Sequence, residues 1–553
     1  MAIAIPESRN MPFVAIITIL SNSLRKKSIR ILSKPQAAIA LAVKFGQLLE
    51  SSNYFFCSYN MNSFRLKNFR CLDDTGNIEL KPINFFLGAN SSGKSSVLKV
   101  FPLIRQSIGE RRNGTFLWYG DDVDFNNFKN AVKDGEGNIE VSFTIRDFTV
   151  PFRGFRKFEN STDLSITLTL KSDDDKFDYL QMIRFDYLDQ WIEIEHKARH
   201  GSSNIKVNGE SFIKDFDKLL NIETNSLLPK LLFITEEQAD DEYPIWTRKK
   251  FSEFSSDNFS SYRKVLRSFY FGTKAETADY VITQLSKDDS KLEVNRQFIN
   301  NLYLLHHVNT IIDGINLYFL KLSEHISYVG PLRASAQRYY RFQNYSVDVI
   351  DSDGKNLPMY LNNLEPEVLQ EYNDWLLELF HFNVDLKPHD GNVEILIKET
   401  DKGIRNMVDV GFGYSQIIPT ITMVWEALRK LSSEKQGKNS IRVPQIVAIE
   451  QPELHLHPRM QALFANMLVK VIEDAGKRGF DIRFVIETHS ETIINKIGEA
   501  IAMGKCSKEH VNVYLFNAKN EGMGKYVEES TFTEDGQLLN WPYGFFSDYD
   551  FFN

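Results

Sequence analysis

The chain has 553 residues, 42% of them hydrophobic and 25% charged, a globular composition with enough apolar residues for more than one core. Its 65 Lys+Arg against 73 Asp+Glu give a formal charge of −8, which excludes a basic field over the whole protein. Three scattered cysteines (Cys57, Cys71, Cys506) with no CxxC pair exclude a zinc ribbon or disulfide scaffold and point to a reducing, cytoplasmic setting.

The first sixty residues differ from the rest. They hold Arg9, Arg25, Lys26, Lys27, Arg30, Lys34 and Lys44 against only Glu7 and Glu50. The uncharged run 10–24 is too short to span a membrane, and its cationic cluster follows the apolar stretch instead of preceding it as in a secretory signal. Residues 1–60 are therefore read as a basic leader outside the fold, with Met61 opening a strand pattern, MNSFRLKNFR.

An N-terminal lobe is expected over 61–208. It opens as strand, turn, strand across 63–88 and continues as the alternating runs NIEVSFTI, LSITLTLK, YLQMIRFDYL, WIEIEH and NIKVNG, an antiparallel β subdomain. Residues 209–324 read as a mostly helical insertion, with Phe298, Leu302, Leu305, Val308, Ile311 and Ile315 at helical spacing and no sustained heptad. His306 and His307 are adjacent, lack a ligand partner at i+4, and read as ordinary surface or core histidines. A C-terminal lobe is expected over 325–553, with a strand at HISYVGPLR and a helix at EPEVLQEYNDWLLELF.

The strongest motif is Gly88-Ala-Asn-Ser-Ser-Gly93-Lys94-Ser95, which fits GxxxxGK[ST] between an apolar strand, INFFL, and a helix expected from Ser95 to about Ile104. Such a loop turns backbone N–H groups around phosphates; Lys94 reaches the β- and γ-phosphates and Ser95 holds Mg²⁺. Downstream, VPQIVAIE ends a buried strand on Glu450, where the Mg²⁺ partner of a phosphate loop belongs, and continues Gln451-Pro452-Glu453-Leu-His455-Leu-His457-Pro458. Pro458 opens a helix, so the two histidines do not make a metal site. A third strand ends in Glu487-Thr488-His489-Ser490-Glu491, where a histidine can donate to a γ-phosphate. A fourth element, Gly411-Phe-Gly413-Tyr414-Ser415-Gln416, is expected as a glycine-rich turn before the helix IIPTITMVWEALRK.

Together these residues resemble the ABC-type ATPases of the RecF, SMC and OLD class, and especially bacterial AAA-family stand-alone ATPases. The likeness rests on KNFR (67–70), GANSSGKSS, YVGPLR (328–333), GFGYSQ, IEQPELHLHP, ETHSE and WPYGFF (541–546). It implies an α/β fold: a P-loop NTPase of ABC-ATPase head type, split by the helical insertion, since Lys94 and Glu450 lie about 350 positions apart. It also implies ATP and Mg²⁺ as cofactors and a homodimer or higher homo-oligomer formed through the ATP sites. Carried over by position, Gly88, Asn90, Ser91, Gly93, Lys94, Ser95 and Ser96 hold phosphate, Ser95 and Glu450 hold the metal, and His489 is the switch. Gly413, Ser415 and Gln416 face the partner's γ-phosphate. Two departures stand out. Gln451 occupies the usual position of the catalytic Glu and is no useful base, which leaves Glu453 or a water network for that role. Gly413 stands where a serine is normal.

Related proteins include the ATPases of Septu-type and PARIS-type anti-phage defence systems, which act with a separately encoded nuclease. The residues after ETHSE are too few for a Toprim nuclease, so the expected chain is an ATPase that gates a separate effector, triggered by DNA or a phage protein. The competing readings are a DNA-repair ATPase that binds DNA through the basic, aromatic patch Arg333–Arg341, and an ATP-clamped scaffold with little turnover.

Overall fold

The structure, a computed structural model, describes residues 60–110, 112–149, 161–173, 177–198, 202–216, 220–221, 225–231, 268–269, 273–285, 292–341, 347, 349–400, 403–433, 442–517 and 525–540. The leader reading of 1–60 and the motif WPYGFF therefore fall almost wholly or wholly outside the described residues. All of the described residues lie in one contact unit, 56–553.

Strands β1 (Asn60–Phe69), β2 (Leu72–Asp74), β3 (Ile78–Glu79) and β4 (Ile83–Gly88) lead into helices α1 (Lys94–Leu98) and α2 (Val100–Gly109). The helix expected as one rod from Ser95 is two, because Lys99 (φ −66°, ψ −6°) breaks the run between them. A meander of β5 (Ile139–Phe148), β6 (Thr162–Ser172), β7 (Asp178–Tyr187), β8 (Gln190–His196) and β9 (Ser203–Val207) follows, each strand antiparallel to the next. All five alternating runs are strands, and the buried positions alternate as the pattern requires.

The meander goes further than expected: β10 (Glu210–Phe216) pairs with β9, so the region 209–324 opens as strand. Two short strands, β11 (Leu220–Asn221) and β12 (Lys230–Leu231), precede its helices α3 (Lys274–Leu285), α4 (Leu292–His306) and α5 (Val308–Glu324). Then come β13 (Ile326–Val329), β14 (Tyr340–Arg341), α6 (Leu357–Asn362) and α7 (Pro366–Phe380). A small antiparallel sheet of β15 (Phe382–His389), β16 (Asn392–Glu399) and β17 (Gly403–Asn406), joined by β14, was not expected from sequence. The remainder is α8 (Phe412–Ser433), β18 (Gln445–Glu450), α9 (Pro458–Arg478), β19 (Ile482–Glu487), α10 (Glu491–Ala502), β20 (Val511–Asn517) and β21 (Lys525–Ser530).

One 15-stranded sheet runs β10-β9-β8-β7-β6-β5-β1-β2-β21-β20-β4-β19-β18-β13, with β3 on β1. The segment β20-β4-β19-β18-β13 is parallel throughout. Its strands are apolar on both faces: Phe86, Ile446 and Ala448 enter one core cluster, whereas Ile83, Phe85, Leu87, Val447 and Ile449 enter the other. That is the pattern of parallel strands covered on two sides, and it puts all the strand ends that carry motifs along one edge of the sheet.

The buried His196, paired across β8 and β9 with Ser203, is held at a pKa of about 4 because burial disfavours the imidazolium. The unfolded chain therefore binds a proton near pH 6.5 that the folded chain refuses. Folded-state stability tied to this group is complete above pH 6.5 and is lost as pH falls toward 4. Thermal melts across that window should show wild type losing up to about 3 kcal/mol relative to His196→Gln. Parallel curves for the two proteins would contradict it.

Candidate active site

The buried strand β4 ends on Gly88 (φ 146°), and the loop closes on Gly93 (φ 108°) at the start of α1. A Cβ at Gly88 would sit 2.3 Å from the Phe516 carbonyl oxygen, and one at Gly93 would sit 2.9 Å from Leu72 Cγ and 3.1 Å from Cys71 Sγ. Neither position accepts a side chain, so backbone and neighbours together fix the loop. Ser91 also takes a left-handed conformation (φ 61°). Lys94 is buried; its Nζ donates to the carbonyls of Gly88 and Ala89, both at 2.8 Å, and lies 3.8 Å from Glu487 Oε1. The loop opens on a cavity of about 670 Å³ lined by Asn90, Ser91, Ser92, Gly93, Lys94, Ser95 and Ser96. Arg70, Cys71, Lys129 and Asn130 also line it, with Arg70 Nη1 donating to Asn130 O at 2.7 Å. Gln451 and Glu487 close the side next to the sheet.

Glu450 and Glu487 are register partners at the ends of the parallel strands β18 and β19, so both carboxylates leave the same face of the sheet. That face is covered by α1, which packs on both strands. Their surroundings differ. Glu450 Oε1 accepts a 2.6 Å bond from the Tyr328 hydroxyl and lies 3.6 Å from Lys99 Nζ; it does not line the cavity. Glu487 faces the cavity beside Lys94 and Ser95. Burial raises the pKa of both carboxyls, and the charge of Glu487 adds to the rise at Glu450. Lys99 and Tyr328 oppose the rise at Glu450; Ser95 and Lys94 oppose it at Glu487. Burial lowers Lys94, with Glu487 and Glu453 opposing.

Beyond Glu450 the chain turns sharply: Gln451 has φ 43°, and its N–H donates to Glu487 O at 2.8 Å. Arg333 holds this turn from behind. Its Nη2 donates to Glu450 O at 2.7 Å and its Nη1 to Gln451 O at 3.0 Å. It is 6% exposed, and burial lowers its pKa to about 10, still cationic at neutral pH. Glu453, expected as a substitute base, spends both oxygens elsewhere. Oε2 accepts from Thr488 Oγ1 and Oε1 from the His489 N–H, each at 2.8 Å, so it braces the switch turn and does not line the cavity. His489 is held at about 4, first by burial and then by Lys94, and is neutral at pH 7. Ser490 caps α10 by accepting from Ile493 N at 3.0 Å, and His457 caps α9 in the same way toward Arg459 N, so neither histidine of the HLHP run joins the site.

The glycine-rich turn is helical: α8 begins at Phe412, and Gly413, Ser415 and Gln416 lie in its first two turns. Ser415 and Gln416 are buried, Ser415 Oγ donating to Phe412 O at 2.7 Å, while Gly411 and Phe412 are exposed. These residues are outside the cavity of their own subunit. Two arginines of the basic patch 333–341 have partners within the chain. Arg333 is buried on the strand end, and Arg338 makes a two-point pair with Asp409 at 2.6 and 3.0 Å, beside the start of α8. Arg338 O accepts from Asn406 Nδ2 at 3.1 Å. The expected site residues Asn90, Ser91, Gly93, Lys94, Ser95, Ser96 and Gln451 thus meet at one cavity, with Gly88 ending the strand behind Lys94 and with Glu450 and His489 adjoining. Reading the sequence gave no site role to Glu487, Lys99, Tyr328 or Arg333; Glu487 carried a signal as a second carboxylate ending a core strand, and Tyr328 and Arg333 as the two ends of the YVGPLR motif.

A family described as "AAA ATPase domain" matches residues 60–494. Among solved structures, the Smc head domain of Pyrococcus furiosus with an extended coiled coil, bound to the C-terminal domain of ScpA, aligns at 12% identity. It covers 86% of this chain and 96% of that one, with a TM-score of 0.32. The SMC head domain from Thermotoga maritima aligns at 11% identity over 85% of this chain and 98% of that one, also at a TM-score of 0.32. The comparison with curated proteins gave no match. Among the described residues, no helix is long and apolar enough to cross a membrane.

Proposed function

The chain belongs to the AAA ATPase domain family, and from that premise we propose that it binds ATP with Mg²⁺ in the cavity beside Lys94, hydrolyses it, and pairs head to head with a second copy. The observation that carries this reading is the loop itself: a lysine held at 2.8 Å on two carbonyls, with two glycines that admit no side chain, facing an open cavity edged by strand-end carboxylates.

Lys94 exchanges its carbonyl partners for phosphate oxygens when nucleotide enters. Ser92 to Ser96 line the phosphates. Ser95 and Glu450 supply the hard oxygen donors that suit Mg²⁺, which when bound offsets charge on the phosphates. Gln451 orients the attacking water by hydrogen bonding through its amide, and neutral His489 offers one further hydrogen bond. No carboxylate at these two positions takes the water's proton directly, which favours slow turnover. Glu453 and Arg333 keep the two turns in place.

Pairing through the start of α8 is supported by Phe412, 50% exposed and edge-on to His455 at 4.8 Å. It would bring Gly413, with Ser415 and Gln416 behind it, to the partner's γ-phosphate. The wider setting follows from the sequence resemblance. The 61–208 and 325–553 lobes form one cytoplasmic ATPase head around the 209–324 insertion, gating a separately encoded nuclease-type effector in anti-phage defence, with DNA or a phage protein as trigger. Direct DNA binding through 333–341 is disfavoured because Arg333 and Arg338 already have partners. Sedimentation tests the pairing. ATP with Mg²⁺ should convert monomer to dimer, and Phe412→Ser should weaken the dimer about tenfold or more while each monomer still binds ATP. Unchanged dimerisation in that variant would refute the pairing surface.

A further inference from the structure

We propose that Glu487 is a second strand-end carboxylate for the divalent cation, so that the cation is held between β18 and β19 by Glu450 and Glu487 together with Ser95. The inference rests on the nucleotide-site reading above and adds a ligand to it.

Three observations carry it. First, the register pairing of Glu450 with Glu487 sends both side chains out of one sheet face, toward the helix that bears Ser95. Second, the two carboxylates divide their neighbours. Glu450 gives one oxygen, Oε1, to the Tyr328 hydroxyl and Lys99, whereas Glu487 is the one that lines the cavity. Third, Glu487 is only 4% exposed, yet its Oε2 is buried and receives no hydrogen bond from any described residue. A buried carboxylate oxygen without a donor carries its full desolvation penalty. Lys94 does not remove that cost: its Nζ stands 3.8 Å from the other oxygen and is bonded to two carbonyls. A small divalent cation, which demands oxygen ligands, satisfies the orphan oxygen directly.

The arrangement has a consequence for how nucleotide enters. Phosphates approaching Lys94 also approach an ionised Glu487, and like charges at close range in a buried site repel strongly. Cation and nucleotide therefore favour each other's binding more than a single carboxylate would allow. A neutral, protonated Glu487 donating to a phosphate oxygen is the competing arrangement, and it predicts the opposite behaviour of the amide variant.

The test compares binding of a fluorescent ATP analogue to the full-length protein with Mg²⁺ and with EDTA, alongside Mn²⁺ bound in the presence of ADP, read by electron paramagnetic resonance. Glu487→Gln should bind nucleotide more tightly than wild type in EDTA. It should also lose about tenfold of the enhancement that Mg²⁺ gives and about tenfold in Mn²⁺ affinity. A Mg²⁺ enhancement and Mn²⁺ affinity equal to wild type overturn the proposal and favour the protonated arrangement. If Glu487→Gln does not fold, Glu487→Asp, which withdraws the carboxylate by one methylene, must lower the same enhancement; an unchanged value overturns the proposal equally. Failure of wild type to bind nucleotide under any condition would instead defeat the ATPase reading itself, so the two failures are distinguishable.

Discussion

Lys94→Ala should abolish ATP binding at micromolar nucleotide and lower kcat/KM by about 10²–10³-fold, equivalent to roughly 3–4 kcal/mol of transition-state stabilisation. The lysine bonds directly to the loop carbonyls of Gly88 and Ala89, and it faces a carboxylate across the same space. Its removal leaves Glu487 opposite the incoming phosphates with Ser95 and the charge of Lys99 alone opposing its own. The loss should appear mainly in affinity, measured by calorimetric titration, and the ATP-dependent dimer should disappear with it. The folded chain also loses two hydrogen bonds from a charged group, so the melting temperature should fall. Retention of wild-type affinity within threefold would contradict the assigned role.

Arg333→Ala should have the second largest effect, and of a different kind. The guanidinium does not line the cavity; it acts through the two carbonyls that shape the Gln451 turn. Deleting it strands both carbonyls and removes a cation that offsets the charge of Glu453, a buried arrangement whose disruption costs about 3–5 kcal/mol. Gln451 then relaxes from its left-handed conformation, which non-glycine residues hold only when neighbours enforce it. A displacement of about 1 Å at the water-orienting amide is enough to lower kcat by about 10²-fold. KM for ATP should change little, because the phosphate contacts are untouched. Arg333→Lys keeps the charge but not the two-point fork, and should recover stability more than kcat. Equal loss in KM and kcat would show that Arg333 acts on nucleotide directly.

The two predictions also mark where the sequence was legible. The phosphate loop is a local pattern, eight residues between a strand and a helix, and every feature that makes it work is within reach of its neighbours. The meander from β5 to β9 was equally readable, because alternation is a property of consecutive residues. Arg333 was misread for the opposite reason. Beside Arg338 and two tyrosines it looks like a solvated basic patch, and nothing nearby in sequence says that its partners are carbonyls over a hundred positions away. Glu487 required knowledge of register: only when β18 and β19 are laid side by side does it come level with Glu450. The early start of α8 and the hidden strand β10 are boundary shifts, where packing extends an element past its local signals.

The place of β4 in the sheet bears on how the protein is made. Its two neighbours, β19 and β20, are encoded about 400 residues after it, and the Asn84 side chain reaches Phe484 O across that whole interval. On the ribosome, the strand that carries the phosphate loop emerges with both hydrogen-bonding edges bare and all six residues destined for burial. It has no partner until nearly the entire chain has been synthesised. The phosphate loop, translated early, is therefore among the last segments to become a binding site. The long interval exposes an apolar strand to chaperones or to other nascent chains, as expected for non-local pairings. Competence to bind nucleotide consequently reports that the distant C-terminal strands have docked.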